Sequence, residues 1–336
     1  MKIFFYSMGC KLNQSLTKRY IGEFVEKGWE VCSEPSDADI IVLSSCTVTE
    51  TSQKQFENIL ERMIKKYPEK RFQVVGCYDK NLLEKDVEYI DQGKVLQLKN
   101  SFINRTRVEI PIQTGCNSFC SYCIVPYFRG EEKSREIKNI LDEVEELLKK
   151  NVKEIVLTGV HIGRFNYDGK NLIDLIEIIS QKKVGRIRLS SLDLNEIDEK
   201  DIERLAKIKK VVPFFHLSLQ HVSKKVLRMM KRKYDIEKIK NILFSFKENF
   251  YKPMLGCDVI VGFPFESDLD FLEMVEFFKN SDLSHFHIFP YSRRKETLAY
   301  YFENNKNSKI TIDEKMKIMR EVHREKKREI FEIFKG

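Results

Sequence analysis

Residues 112–136 read IQTGCNSFCSYCIVPYFRGEEKSRE and place three cysteines, Cys116, Cys120 and Cys123, in a C-x3-C-x2-C spacing. The segment follows a predicted strand at residues 108–113. Three thiolates on one loop can bind three irons of a four-iron–four-sulfur cluster and leave the fourth iron open to another ligand. A zinc site is the alternative, but zinc modules usually supply a second Cys or His pair nearby. Neither Cys77 nor Cys257 has such a partner in the sequence.

Strands and helices alternate on the carboxyl side of this loop. After the strand at 108–113, the pattern predicts further strands at 154–158, 186–190, 214–219, 256–261 and 285–290. Helices are predicted between them, for example at 137–150 and 269–279, and a basic amphipathic helix is predicted at 313–334. Six βα units predict a partial (β/α)6 barrel rather than the full eightfold form.

The first hundred residues show the same alternation on a smaller scale. Predicted strands at 2–7, 39–45 and 72–76 alternate with helices at 14–27 and 52–66. This βαβαβ pattern predicts a small doubly wound parallel sheet, flavodoxin-like in type. The fold class is therefore α/β, with the domains predicted at residues 1–95, 108–300 and 301–336 and a linker at 96–107.

Three further cysteines, Cys10, Cys46 and Cys77, each follow a predicted strand of the N-terminal sheet. The carboxyl ends of parallel strands lie along one edge of a sheet, so we expect these thiols to converge. The alternative is that each is a small buried hydrophobic residue, as most free cysteines are. We assign Cys32 and Cys257 to that structural role.

Composition limits the class of protein. The 336 residues are 42% hydrophobic and contain no apolar run long enough to span a membrane, which predicts a soluble cytoplasmic protein. Disulfides are rare in that compartment, so clustered cysteines indicate metal binding or catalysis. The net charge of +8 fits a nucleic-acid partner, although a generally lysine-rich composition explains it equally well.

The cysteine triplet, with Tyr122 before its last member, resembles the motif of the radical S-adenosylmethionine (SAM) superfamily. This resemblance implies that SAM chelates the open iron of a 4Fe-4S cluster. One electron then cleaves SAM to methionine and a 5′-deoxyadenosyl radical, which abstracts hydrogen from an unactivated C–H bond. The protein contributes position and the exclusion of water.

The resemblance narrows to the methylthiotransferases over nearly the whole chain. GCKLN at 9–13, SCTVT at 45–49, GCY at 76–78 and GCNSFCSYCIVPYFRG at 115–130 are similar to motifs of that family. The resemblance implies a second 4Fe-4S cluster on Cys10, Cys46 and Cys77 that supplies or carries sulfur. It also implies tRNA as a partner, an electron donor such as flavodoxin or ferredoxin, and a sulfur donor.

Three subfamilies act on threonylcarbamoyladenosine in tRNA, on isopentenyladenosine in tRNA, or on an aspartate of a ribosomal protein. LTGVHIG at 157–163 and FPYSRR at 289–294 are similar to the first group, so we expect methylthiolation at C2 of threonylcarbamoyladenosine next to the anticodon. Phe265 stands where the family usually has glycine. The family's small C-terminal RNA-binding β-barrel, the TRAM domain, is expected to be absent from this chain.

Other site residues are predicted from their positions at strand ends. Contacts with SAM are expected from Tyr122, Thr158, Gly159, Ser190, Ser191, Gln220 and Gly262. Contacts with SAM carboxylate, substrate or tRNA phosphate are expected from Arg129, Arg135 and His161. Each has a structural alternative, since glycines turn chains and serines cap helices.

Residues 224–233, KKVLRMMKRK, place six cations in ten residues and could contact tRNA phosphates, as could the terminal helix. Solvated helix faces are the alternative for both segments. Two alternatives from other classes are a non-enzymatic iron–sulfur electron carrier and a zinc-dependent RNA-binding protein.

Overall fold

The computed structural model describes residues 1–84, 86–97, 106–303 and 308–335, except for the side chains of residues 331 and 333–335. The chain divides into two compact units. The N-terminal unit comprises Met1–Ser118 and Ile124–Ile187, and the C-terminal unit comprises Phe119–Cys123 and Arg188–Gly336.

The N-terminal unit begins with the predicted doubly wound sheet. Its strands are parallel and lie in the order β2-β1-β3-β4-β5. They span Lys2–Ser7 (β1), Glu30–Val31 (β2), Ile40–Ser45 (β3), Arg71–Gly76 (β4) and Val87–Ile90 (β5). The accompanying helices are Lys11–Glu26 (α1), Glu50–Lys66 (α2) and Gln92–Gln97 (α3).

The central strand β3 is buried along its whole length, because helices cover both faces of the sheet. Ile40 and Val42 pack in the cluster that contains Leu16 of α1. Ile41 and Leu43 pack in the opposite cluster, which contains residues of α2. This two-sided burial explains why the strand reads as an uninterrupted apolar run rather than as an alternating one.

The same unit contains the start of the second predicted region. Its sheet has the order β7-β6-β8-β9, with Arg107–Thr114 (β6), Lys133–Ser134 (β7), Glu154–Gly159 (β8) and Arg186–Leu189 (β9). The boundary between the units falls within β9, after Ile187. β6 pairs in parallel with β8 and antiparallel with the short β7. The helices are Val125–Arg129 (α4), Ile137–Lys149 (α5) and Leu172–Ser180 (α6).

The C-terminal unit contains a parallel sheet in the order β10-β11-β12. Its strands are Phe214–Gln220 (β10), Met254–Val261 (β11) and Leu283–Pro290 (β12). Leu192 adds an isolated parallel bridge to Leu217 of β10. The helices are Glu199–Ala206 (α7), Lys224–Met229 (α8), Ile236–Asn249 (α9), Asp268–Asn280 (α10) and Ile312–Lys335 (α11).

The predicted order of long strands and helices is confirmed in both regions. The sequence missed the short elements β2, β5, β7, α3 and α4. Most of these have too few residues for an apolar period to show, and β2, β5 and β7 lie at sheet edges. The predicted linker at 96–107 falls mostly on residues 98–105, outside the described residues. Residues 96 and 97 belong to helix α3 instead.

No helix within the described residues is long and apolar enough to cross a membrane. Cys257 is fully buried in β11, as expected for a structural cysteine, and burial raises the pKa of its thiol well above the ordinary value. Cys32 is partly buried and packs against the α2 side of the N-terminal sheet.

An ion group that the sequence did not predict joins helices α1 and α5 inside the N-terminal unit. The carboxylate of Glu143 accepts hydrogen bonds from Arg19 and, at 2.8 Å, from Arg135, and all three residues are almost completely buried. Burial lowers the pKa of Arg19 to about 10, against the opposing effect of Glu143. Arg135 also donates to the carbonyl of Pro111 at 3.1 Å.

The prediction that Arg135 contacts SAM or a tRNA phosphate is therefore wrong. Its guanidinium faces Glu143 inside the unit and not a ligand at the surface. A serine–arginine pair in sequence carries no information on the direction of the arginine side chain. The carboxylate partner lies eight residues further along, on helix α5.

We expect Glu143→Ala to destabilise the protein by about 3–5 kcal/mol, because it leaves two arginines buried without their carboxylate. The measurement is the free energy of unfolding from denaturant titration. Glu145→Ala, on the same helix, is the matched control: Glu145 pairs with Lys182 at the surface and should change stability little. Equal losses in the two variants would contradict the structural role given to Glu143.

Candidate metal centres

The three N-terminal cysteines lie together at the carboxyl edge of the first sheet. Cys10 is the residue before helix α1, while Cys46 and Cys77 directly follow the adjacent strands β3 and β4. Burial raises the pKa of the Cys46 and Cys77 thiols, and neighbouring thiols add to the rise: Cys10 acts on Cys46, and both act on Cys77. The convergence predicted from the strand ends is therefore confirmed as a position in the fold.

Glycines allow these cysteine loops to pack so closely. Gly9 has a φ of +102°, and a Cβ there would lie 2.8 Å from the Cβ of Cys46 and 3.3 Å from its sulfur. Gly76 has a φ of +114°, and its Cβ would lie 2.7 Å from the carbonyl oxygen of Ser45. Both conformations are strained for any residue with a side chain. The Gly-Cys pairs at 9–10 and 76–77 thus have a steric cause.

A guanidinium lies against the N-terminal thiols. Arg129 Nε donates to the sulfur of Cys77 at 2.8 Å, and another nitrogen of the same group donates to Asn13 Oδ1. Asn13 is itself fixed by a hydrogen bond from its Nδ2 to the carbonyl oxygen of Ser45 at 2.6 Å. Burial raises the pKa of Cys77, and the positive charge of Arg129 acts in the opposite direction.

The sequence had assigned Arg129 to SAM or tRNA phosphate, and the structure places its guanidinium on Cys77 instead. Little in the sequence indicated this contact, because Arg129 lies beside the cysteine triplet in sequence and 52 residues from Cys77. A direct contact between Arg129 and a substrate stays a prediction. Asn13, which orients Arg129, was noted only as part of the GCKLN motif.

The first cysteine of the triplet lies in the N-terminal unit. The backbone N–H of Cys116 donates to Gly130 at 3.1 Å, and its sulfur lies 3.7 Å from His161 Nδ1. Gln113 fixes this region: it donates to the carbonyl of Gly115 and accepts from the backbone N–H of His161 at 2.9 Å. Gln113 was not among the predicted site residues.

His161 is buried beside Cys116 and Ser118, and its Nδ1 lies 3.4 Å from the Ser118 hydroxyl. Ligand atoms of Cys116, Glu132 and His161 all lie within 4.8 Å of one another and could hold a single metal ion. That arrangement would use only one of the three triplet thiols. Substrate contact by His161 stays a prediction.

The other two triplet cysteines lie in the C-terminal unit, where Arg232 contacts Cys120. Arg232 Nη1 donates to the Cys120 sulfur at 3.3 Å, and Nη2 lies 2.7 Å from a carboxylate oxygen of Asp193. Nη2 also donates to the carbonyl of Ser218, and Nε donates to Tyr234 Oη at 2.9 Å. Arg232 is therefore an interior residue, although the sequence included it in a basic surface run.

Residues 121 and 122 of the triplet loop are fixed by the segment that follows β10. Ser121 N–H and Oγ donate to the carbonyls of Met230 and Met229, at 3.2 and 2.7 Å. Tyr122 packs on the apolar cluster that includes Met230, Ile260 and Phe263. Burial raises the pKa of Tyr122 well above its ordinary value, so its hydroxyl stays neutral at physiological pH.

The remaining residues predicted to contact SAM lie at strand ends, as their positions implied. In the N-terminal unit Thr158 and Gly159 end β8. In the C-terminal unit Ser190 and Ser191 follow β9, Gln220 ends β10 and Gly262 follows β11. The structure places them in these positions, and contact with SAM stays a prediction for each.

Comparison with known proteins identifies the family. The family model described as "Radical SAM superfamily" matches residues 110–278, and the one described as "Uncharacterized protein family UPF0004" matches residues 2–95. A protein of Aquifex aeolicus named threonylcarbamoyladenosine tRNA methylthiotransferase MtaB is 32% identical over 374 residues, covering 100% of this chain and 91% of that relative. The chain belongs to the radical SAM tRNA methylthiotransferase family.

Two further relatives belong to the same family. A Bacillus subtilis protein with the same name as the Aquifex relative is 32% identical, with 95% of this chain and 78% of the relative covered. A tRNA-2-methylthio-N(6)-dimethylallyladenosine synthase of Pseudothermotoga lettingae is 27% identical, with 97% and 84% covered. This methylthiotransferase is therefore an enzyme, a transferase, and the non-enzymatic alternatives are excluded.

A solved structure supports the fold. The radical SAM methyltransferase TsrM of Kitasatospora setae, solved with cobalamin and a [4Fe-4S] cluster, superposes with a TM-score of 0.63 at 11% identity. The superposition covers 89% of this chain and 76% of TsrM. At this identity the likeness concerns the fold alone, and it agrees with the predicted small parallel sheet followed by a partial barrel.

Membership of the radical SAM family implies SAM and a 4Fe-4S cluster, and the chain offers residues that fit them. Cysteine thiolates are the usual ligands of such clusters, and Cys120 already accepts a hydrogen bond from a cation. Hydrogen bonds to the sulfurs are one way in which proteins tune a cluster. The contact of Arg232 therefore suits a bound cluster better than a structural cysteine.

We expect Arg232→Ala to lower both thermal stability and iron content, because it leaves Asp193 without its guanidinium partner and removes the cation beside Cys120. The measurements are thermal unfolding and iron per chain after anaerobic reconstitution. Arg228→Ala is the matched control, since Arg228 belongs to the same basic run but its side chain is exposed. Normal iron content in Arg232→Ala would contradict the role given to this residue.

Proposed function

We propose that this methylthiotransferase inserts a methylthio group at C2 of threonylcarbamoyladenosine, next to the anticodon of tRNA, and that it uses two 4Fe-4S clusters. Cys116, Cys120 and Cys123 would hold the radical SAM cluster. The observation that carries the proposal is the second set of thiols, at the edge of the N-terminal sheet. A radical SAM enzyme that only abstracts hydrogen has no need for it.

When bound, the clusters and SAM would supply a methyl group to sulfur from one SAM and a 5′-deoxyadenosyl radical from a second, one-electron-reduced SAM, with the electron recovered as the carbon–sulfur bond forms. The protein's own residues have other tasks. Gly9 and Gly76 let the N-terminal thiols approach each other. Arg129 and Arg232 place positive charge on sulfur in each unit.

The choice of threonylcarbamoyladenosine rests on the relatives' names and on the motifs. Proteins named for that nucleoside are 30–32% identical to this chain. Proteins named for dimethylallyladenosine are 26–31% identical over similar lengths, so dimethylallyladenosine, an isopentenyladenosine, is the second candidate substrate. A ribosomal-protein aspartate is the third.

Nucleoside analysis of tRNA decides between these substrates. We expect tRNA from a host that expresses the wild type, but lacks its own enzyme, to contain 2-methylthio-threonylcarbamoyladenosine by liquid chromatography and mass spectrometry. Cys10→Ala/Cys46→Ala/Cys77→Ala should lose this product and still release 5′-deoxyadenosine from SAM. Cys116→Ala/Cys120→Ala/Cys123→Ala should lose both.

Iron content provides the matching check. Two cysteine-bound clusters require about eight irons in the wild type and about four in each triple variant. Cys32→Ala is the control, since Cys32 belongs to neither set. If the wild type contains four irons and Cys116→Ala/Cys120→Ala/Cys123→Ala contains none, the protein is a radical SAM enzyme without the sulfur-carrying cluster. If the nucleoside analysis finds 2-methylthio-dimethylallyladenosine instead, the proposed substrate is wrong and the proposed reaction stands.

For tRNA binding, the proposal includes the outer side of residues 224–233. Lys224, Arg228, Lys231 and Lys233 are exposed, whereas Val226, Leu227, Met230 and Arg232 are buried. The buried side holds Ser121 and Cys120 of the triplet loop. RNA phosphates bound on the exposed side would thus lie one layer of protein from Cys120.

We expect Arg228→Gln/Lys231→Gln/Lys233→Gln to weaken tRNA binding and to reduce the salt dependence of log K by roughly two units, at about 0.7 per single-stranded phosphate contact. The measurement is tRNA affinity at several salt concentrations. Lys200→Gln/Lys207→Gln/Lys209→Gln removes the same charge from another exposed part of the C-terminal unit and should leave the slope nearly unchanged. Equal slopes in the two variants would contradict a local contact.

The cytoplasm, a flavodoxin or ferredoxin as electron donor, and a separate sulfur donor complete the proposal. The two donors follow from the chemistry, since an electron must first reduce the cluster that cleaves SAM and one sulfur atom must be supplied for each product. The same exposed cations would also attract an acidic electron donor. If Arg228→Gln/Lys231→Gln/Lys233→Gln binds tRNA normally but flavodoxin reduces its cluster more slowly than that of the wild type, the exposed cations bind the electron donor instead.

A further inference from the structure

A second group of metal-ligating side chains lies in the C-terminal unit, on neighbouring parallel strands. His216 is on β10, Asp258 on β11 and His287 on β12, and Asp258 and His287 are direct partners in the strand register. One ligand atom from each residue lies within 4.8 Å of the other two. None of these residues belongs to the sequence motifs quoted above or to the cysteine sites.

The two imidazoles face the same carboxylate oxygen. His216 Nε2 lies 2.9 Å and His287 Nδ1 lies 3.3 Å from Asp258 Oδ1. Ligand bonds of about 2.0–2.2 Å in a tetrahedral site place neighbouring donor atoms roughly 3.3 Å apart. Two of the three separations are close to that value and the third, between the imidazoles, is within 4.8 Å, so a cation could enter with small movements of the side chains.

Their surroundings fix two of the three ligands. His216 is buried, and a Cβ on Gly256 would lie 3.0 Å from its Nδ1, so the absence of a side chain at residue 256 leaves room for the ring. The far nitrogen of His287, Nε2, lies 3.2 Å from His285 Nε2. A hydrogen bond on that side leaves Nδ1 directed at Asp258, which is how second-shell partners usually orient a metal-bound histidine.

Access also differs among the three ligands. The side chain of Asp258 is 20% exposed and that of His287 is 51% exposed. Solvent can therefore reach the group from the β12 side, and water could fill a remaining coordination position. His216 lies four residues before Gln220, the last residue of β10, or roughly 13 Å along the strand. The group is thus separate from the strand end at which SAM contact is proposed.

We propose that His216, Asp258 and His287 form a binding site for one divalent transition-metal ion. Two imidazole nitrogens and one carboxylate oxygen with open positions suit zinc or iron(II). Mg²⁺ and Ca²⁺ prefer oxygen ligands and fit poorly. The inference rests on contacts within the C-terminal unit and does not depend on the tRNA substrate.

Zinc binding tests the site. The cluster-loaded protein is dialysed anaerobically against buffered Zn²⁺, and zinc per chain is measured by mass spectrometry. We expect about one more zinc in the wild type than in His216→Ala/His287→Ala, as one three-ligand site requires. His323→Ala is the control, because its ring lies 5.4 Å from that of His285 but provides none of the three ligands. It should keep the zinc.

The same dialysis with Fe²⁺ distinguishes the two metals, since an iron outside the clusters gives a high-spin ferrous Mössbauer signal.

If the double variant fails to fold, as judged by circular dichroism and cluster iron, Asp258→Asn decides, because it keeps the size of the side chain and removes the charge. Loss of the metal in Asp258→Asn supports the site. Equal metal content in the wild type and in the folded variant overturns it.

Discussion

In each unit, a buried or partly buried guanidinium donates a hydrogen bond to a cysteine sulfur. Arg129 contacts Cys77 in the N-terminal unit, and Arg232 contacts Cys120 in the C-terminal unit. A thiolate away from water needs a positive charge or hydrogen-bond donors to remain ionised, and arginine supplies both without losing its proton. The site of each unit therefore depends on a cation that the fold holds against sulfur.

Holding those cations takes further interactions. Asn13 binds Arg129 and is anchored to the end of β3, while Asp193 and the carbonyl of Ser218 bind Arg232. The parallel sheets bring these partners together, because successive strands end at one edge. Sequence separations of tens of residues thus become direct contacts, and a mutation in a partner would act on the sulfur through the arginine.

The sequence predicted those strands and helices in which apolar residues form a continuous run or recur with a regular period. Long strands and the convergence of Cys10, Cys46 and Cys77 followed from apolar runs that end in cysteine. The directions of single charged side chains did not, because a charge has no period and its partner is distant in sequence. Arg135 therefore appeared to be a ligand residue, although it is paired with Glu143 inside the unit. His216 and Asp258 gave no signal for the same reason.

The basic segment 224–233 shows why such side chains matter for function. Lys231 has a positive φ, and this turn directs Arg232 inward while leaving Lys231 and Lys233 in solvent. One short segment can thus donate a hydrogen bond to Cys120 and present cations at the surface. The exposed cations and the contact with Cys120 therefore lie on opposite sides of the same segment.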